Sequence, residues 1–145
     1  MQSFEALHIL AHIDRDLLER RASDLYDYLA DSAFDRALNL FHPQAVLELG
    51  SDLRAMPFYG RHQGASAIRQ AFRHIHIEYE VLRQDLDDVL TDGSRVVVRR
   101  SCRLRHRGTG KVCTASFSDW FRFEDGSIAE LKTLGDTMAL VELVS

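Results

Sequence analysis

From Phe4 to Leu29 the apolar residues Leu7, Leu10, Ile13, Leu17, Leu18, Leu25 and Tyr28 recur at the three- to four-residue spacing of one helix face. One long helix is predicted, or two divided near Ser23, which has N-cap chemistry. Asp31-Ser32 breaks the run, and Phe34 to Phe41 reads as a short helix that Pro43 stops soon afterwards. Ala45 to Leu49 then reads as a short strand and Met56 to Gly64 as an irregular segment. Ala65 to Ile75 is an amphipathic helix with Ile68, Ala71, Phe72 and Ile75 on one side. From Ile77 the period changes to that of strands, punctuated at hairpin spacing by Asp92-Gly93, Gly108-Thr109-Gly110 and Asp125-Gly126. The strands fall at 77–90, 94–107, 111–124 and 127–136, and the tail Thr137 to Val144 is a last helix or a fifth strand. Helices first and a meander afterwards predict an α+β fold in one domain over residues 1–145, with helices on one face of an antiparallel sheet.

The Gly108-Gly110 turn yields a register. If Thr109 and Gly110 form a two-residue turn, Gly108 faces Lys111, Cys102 faces Phe117, Leu104 faces Ala115 and Arg100 faces Asp119. One face then carries Val96, Val98, Cys102, Leu104, Cys113, Phe117, Phe121 and Phe123, with Arg100 and Asp119 as opposite charges inside an apolar stripe. The same register sets Cys102 and Cys113 about four residues out of step, roughly 13 Å, which predicts free thiols.

Composition narrows the function classes. With 46% hydrophobic and 28% charged residues the chain is an ordinary globular one. A net charge of −4 argues against nucleic acid, and the cluster Arg99, Arg100, Arg103, Arg105 and Arg107 alternates along a strand as a solvated face would. The opening MQSFEALHIL lacks the basic start and apolar run of a signal peptide, and no segment approaches the ~20 apolar residues of a membrane span, so a cytoplasmic location without membrane contact is expected.

Three stretches carry a resemblance. Tyr26 to Asp31, through Phe34 and Phe41 to Ala45-Val46-Leu47-Glu48, is similar to the opening helices and first strand of SnoaL-like proteins of the nuclear transport factor 2-like superfamily. Phe58-Tyr59-Gly60-Arg61-His62-Gln63-Gly64, with Ala67-Ile68 and Phe72, is similar to their glycine-led segment before the next helix. Asp119 to Ile128, closing on Gly135-Asp136-Thr137, resembles the superfamily's most recognisable stretch. The resemblance implies a curved sheet wrapped round the N-terminal helices to form a cone-shaped pocket, in the cystatin-like manner. The pocket would be lined by Tyr26, Leu49, Phe58, Tyr59, His62, Cys102, Phe117, Leu131 and Thr133.

The same resemblance bears on chemistry position by position. The ketosteroid isomerase branch places its oxyanion Asp at Asp119, its base at Leu49 and its Tyr at Leu25, with Tyr26 and Tyr28 close by. The acid–base Asp of polyketide cyclases and limonene epoxide hydrolase falls on Thr133; the hydrolase's Arg falls on Arg100 and that Arg's partner Asp on Cys102. Neither a hydroxyl nor a thiol serves as a base near neutral pH without an activating neighbour.

Asp119 and Arg100 are the candidate catalytic pair, to be weighed against a purely structural ion pair. Asp136 is expected to cap the tail if it is helical. His8 and His12 stand one helical turn apart but lack a third ligand, so no metal is expected. His62 is read as a satisfied or exposed histidine beside the pocket mouth, and His74 and His76 need have no chemistry. Two functions compete: a cofactor-independent acid–base enzyme of isomerase, cyclase, dehydratase or hydrolase type, and a non-catalytic ligand-binding or dimerisation module. The small subunit of a ring-hydroxylating dioxygenase is a third. The expected partners are a small, largely apolar molecule and a second copy of the chain, joined through the outer sheet face carrying Ser116, Ser118, Trp120 and Arg122.

Overall fold

The computed structural model describes residues 4–50 and 59–145, with the backbone alone for 4–13 and 137. The elements follow in the order α1 (Phe4–Ala30), α2 (Phe34–Leu38), β1 (Phe41–Leu49), β2 (Gly60–Gln63), α3 (Ala65–Glu78), β3 (Tyr79–Asp92), β4 (Arg95–His106), β5 (Val112–Glu124), β6 (Ser127–Gly135) and α4 (Thr137–Val144). The opening run is one helix without a break at Ser23. It ends where Ser32 takes φ 56°, with Ala33 N–H donating to Tyr28 O and Ser32 N–H to Leu29 O, so two terminal carbonyls find donors.

The six strands form one curved, unclosed sheet in the order β2-β1-β6-β5-β4-β3. All neighbours are antiparallel except β1 and β6, which run parallel. β1 begins at Phe41, where a helix end was expected, and contains Pro43. The proline is tolerated because the β1–β6 register shifts between Phe41 and Val46, so no regular ladder bond is demanded there. α3 runs three residues past its expected end, and β3 starts at Tyr79. β3 carries two register shifts, between Val81 and Arg83 and between Leu86 and Asp88. Such bulges add local twist and bend the strand.

The β4–β5 register differs from the expected one. Arg100 faces Phe117, Cys102 faces Ala115, and Asp119 faces Val98. The loop spans the four residues from Arg107 to Gly110, closed by His106 N–H to Lys111 O and Gly110 N–H to His106 O. His106 causes the wider loop: its Nδ1 accepts the Thr109 N–H at 3.1 Å, and Gly110 takes φ 74°. The slip is two residues, and side chains alternate with a period of two, so every residue keeps its face. Cys102 and Cys113 are therefore two residues out of step rather than four, and both are free thiols.

Along β5, Ala115, Phe117, Asp119, Phe121 and Phe123 are buried, whereas Ser116 and Trp120 are exposed. Two apolar clusters lie on the inner face. The larger packs Leu18, Ala22 and Leu25 of α1 and Ile68 and Phe72 of α3 against Leu47, Val96, Phe121 and Leu131. The smaller sets Leu140 and Leu143 of α4 over Tyr79, Leu104 and Phe117. α4 starts at Asp136, whose Oδ1 accepts the Ala139 N–H at 3.2 Å. No helix among the described residues is long and apolar enough to cross a membrane.

Candidate functional site

A cavity of about 480 Å³ lies on the inner face of the sheet. Leu25, Leu29, Phe34, Leu47, Leu49, Phe72, Phe117 and Leu131 make its walls apolar. Its volume is within the range of ordinary small-molecule sites.

A polar cluster gathers around Asp119, which is 2% exposed at the centre of β5, and His76, Glu80, Arg83 and Arg107 also line the cavity. Tyr26 Oη donates to Asp119 Oδ2 at 2.6 Å, and Arg100 Nε donates to the same oxygen at 2.5 Å. Thr133 Oγ1 donates to Asp119 Oδ1 at 2.7 Å, joined there by Arg100 Nη2 at 3.3 Å. Thr133 is the residue directly opposite Asp119 on β6, so this bond follows from strand pairing. Arg100 lies two residues along from Val98, Asp119's direct partner, and its length covers the diagonal. Its guanidinium also rests on the Phe117 ring, 4.5 Å from the centroid, because Phe117 is its own cross-strand neighbour. Arg100 Nη1 reaches Gln84 Oε1 and Cys102 Sγ, both at 3.2 Å, and the Cys102 thiol donates to the same Gln84 oxygen at 3.2 Å.

Electrostatics keeps these groups in their ordinary charge states. Burial raises the Tyr26 phenol pKa well above its usual range, and the Asp119 charge adds to the effect. Burial opposes the Arg100 charge, but the adjacent Asp119 outweighs it and holds the guanidinium protonated. Burial also pushes the Cys102 thiol up, only partly offset by Arg100. The cluster thus contains neither a phenolate nor a thiolate near neutral pH. Each Asp119 oxygen already accepts two hydrogen bonds, so taking a substrate proton would cost it a donor.

Of the residues singled out in the sequence, Tyr26, Leu49, Arg100, Phe117, Asp119, Leu131 and Thr133 line the cavity. Cys102 is not in the lining; it lies behind Arg100 and Gln84 and touches both. Tyr59 and His62 do not line it either, which corrects that expectation. β2 pairs outboard of β1 as the sheet's edge strand, and on that side the wall is Leu47 and Leu49 of β1. Phe58 lies outside the described residues, as do the side chains of His8 and His12. Among the described residues, no three His, Cys, Asp or Glu side chains converge to hold a metal ion.

The β3 wall, Tyr79 to Gln84, is missing from the sequence reading, as are His76 and Arg107 beside it. The signal for Gln84 is hidden by the bulges. The pairing of Asp92 with Arg95, continued without a shift, puts Asp85 opposite Cys102, whereas the structure puts Gln84 there.

The sequence profile of the SnoaL-like domain matches residues 22–131. Among curated proteins, none matches the sequence. Several solved structures share the fold. One is a nuclear transport factor 2-like protein of unknown function from Burkholderia pseudomallei, with TM-score 0.81 and 19% identity over 89% of this chain and 98% of that one. A protein from Rhodopseudomonas palustris proposed to be an isomerase gives TM-score 0.76 and 20% identity over 88% and 94% of the two chains. One from Xanthomonas campestris, proposed to be a polyketide cyclase, gives 0.75 and 17% over 91% and 99%. The family match spans most of the chain and the fold agrees with it, so this chain belongs to the SnoaL-like domain family of the nuclear transport factor 2-like superfamily.

Proposed function

We propose that this chain binds a small, largely apolar molecule in the cavity on the inner face of its sheet, with the molecule's one oxygen-bearing group at the Arg100–Asp119 end. The observation that carries this is the meeting of apolar walls with a buried polar cluster at Arg100 and Asp119. Apolar walls supply affinity without direction, and one polar pole supplies orientation. The test uses the fluorescent probe 1-anilinonaphthalene-8-sulfonate. Saturable one-to-one binding is expected in the native chain, and loss of binding is expected in Leu29→Trp, which fills the cavity, at unchanged circular dichroism. Equal binding by both forms would place the probe elsewhere and defeat the proposal.

The Tyr26–Asp119 hydrogen bond favours a second reading, a cofactor-independent acid–base enzyme of isomerase or cyclase type. The assignments proposed for two structural neighbours point the same way. In this reading the Tyr26 O–H leaves Asp119 Oδ2, which keeps its Arg100 bond, and donates instead to a bound carbonyl. Against it, Leu49 and Thr133 occupy the positions from which relatives move a proton, and Thr133 is committed to Asp119. Deuterium wash-in from D2O beside the carbonyl of a bound ketone, lost in Tyr26→Phe, is the result it requires. Absence of exchange in the native chain leaves binding alone.

A further inference from the structure

We propose that Gln84 makes the polar pole a donor surface and thereby selects ligands whose head group is a hydrogen-bond acceptor, an apolar carboxylate or ketone, over those that present a cationic donor. The inference rests on the cavity being the binding site.

The orientation of the Gln84 amide follows from its neighbours. Arg100 has no acceptor, so whatever faces its Nη1 at 3.2 Å must be the amide oxygen. The Cys102 thiol, on the residue directly across from Gln84, donates to the same oxygen. The two donors leave Nε2 as the other end of the amide, and it makes no hydrogen bond to another described residue. Gln84 lines the cavity and is half-buried, and no described buried side-chain nitrogen or oxygen lacks a partner, so Nε2 is accessible rather than sealed in the interior.

A tally of the pole's atoms explains the selectivity. Its acceptors are taken: Asp119 Oδ1, Asp119 Oδ2 and Gln84 Oε1 each receive two donors. The Tyr26 and Thr133 hydroxyl protons are committed to Asp119, and the Cys102 thiol proton to Gln84. The weak acceptors left are the hydroxyl oxygens of Tyr26 and Thr133. What remains to donate is the pair of N–H groups on Gln84 Nε2 and the second N–H of Arg100 Nη2. The arginines of the lining are each paired with a carboxylate, Arg83 with Asp85, Arg100 with Asp119 and Arg107 with Glu80, so the discrimination falls to the open donors. A carboxylate or carbonyl oxygen meets open donors. An ammonium meets only neutral hydroxyl oxygens beside the Arg100 guanidinium.

The test compares 2-naphthoate, methyl 2-naphthyl ketone and 2-naphthylmethylamine, which share one apolar body, by calorimetric titration of the native chain, Gln84→Met and Gln84→Glu. The native chain should bind naphthoate and ketone about tenfold or more tighter than amine, the size of one net hydrogen bond. Gln84→Met keeps the volume and removes the Nε2 donors but leaves those of Arg100, and should narrow the preference over amine without abolishing it. Gln84→Glu turns the pole into an acceptor surface and should reverse the order, with amine bound tightest. Equal affinities in the native chain, or an unchanged preference in both variants, overturns the role of Gln84 while leaving the cavity as the binding site. Failure of all three probes to bind the native chain overturns both. The native-chain comparison tests the donor character of the pole, and either variant that folds decides whether Gln84 supplies it.

Discussion

The Tyr26 hydroxyl donates to Asp119 Oδ2 at 2.6 Å across 93 intervening sequence steps, and this bond ties α1 to the middle of the sheet. Asp119 is the point at which α1, β4, β5 and β6 meet through polar contacts, since Arg100 and Thr133 bind the same carboxylate. A buried charge held in this way carries large energetic consequences when any partner is removed.

Removing one member of the ion pair should be severe. Arg100→Met or Asp119→Leu leaves the other charge buried, and each should destabilise the fold by about 3–5 kcal/mol in denaturant titration. The double variant should recover much of that loss. If the double variant is as unstable as the sum of the singles, the polar cluster has no apolar substitute and the pair is not simply structural.

Tyr26→Phe should cost about 1–3 kcal/mol, because Asp119 loses a donor and no water-sized polar replacement is built in. The expected midpoint shift in urea comes without a change in slope. A stability change below about 0.5 kcal/mol would show that the bond adds nothing net.

Alkaline pH should act through Tyr79. Burial, followed by the Glu78 charge, pushes its phenol up to about 12. A folded-state value raised above the unfolded value of 10.0 means that its stabilising contribution is complete below pH 10 and is lost as pH rises towards 12. Spectrophotometric titration at the phenolate band should show one fewer late-ionising tyrosine in Tyr79→Phe than in the native chain. The variant's stability should also fall less between these two pH values.

Asp136→Ala removes the side-chain acceptor at the start of α4 and should cost about 1 kcal/mol. Hydrogen exchange should rise first over Ala139 to Leu143, where α4 covers the smaller apolar cluster. Uniform protection loss across the sheet would mean that α4 unfolds only with the whole domain.

The outer face around Trp120, which is 49% exposed, is the proposed dimer surface. Light scattering at micromolar concentration should give twice the chain mass for the native protein and the chain mass for Trp120→Glu. A native monomer would remove the proposal.

The order of elements and the two faces of β4 and β5 were legible in the chain itself, because a period of two or of 3.6 is a local property. For the same reason Arg100 and Asp119 could be placed together in an apolar stripe, and Asp136 could be read as a cap. The partners were not legible to the same depth. The two-residue slip at the Arg107–Gly110 loop came from His106 accepting the Thr109 N–H, a contact made only when the turn is folded. It left faces intact while changing every direct neighbour, so Arg100 meets Asp119 on a diagonal with Phe117 beneath it. The bulges of β3 likewise hid Gln84 behind a pattern that looked continuous. Local periodicity determined which residues face inward. Which inward residues touch was decided by turns, bulges and helix placement, whose geometry depends on contacts between residues far apart in the chain.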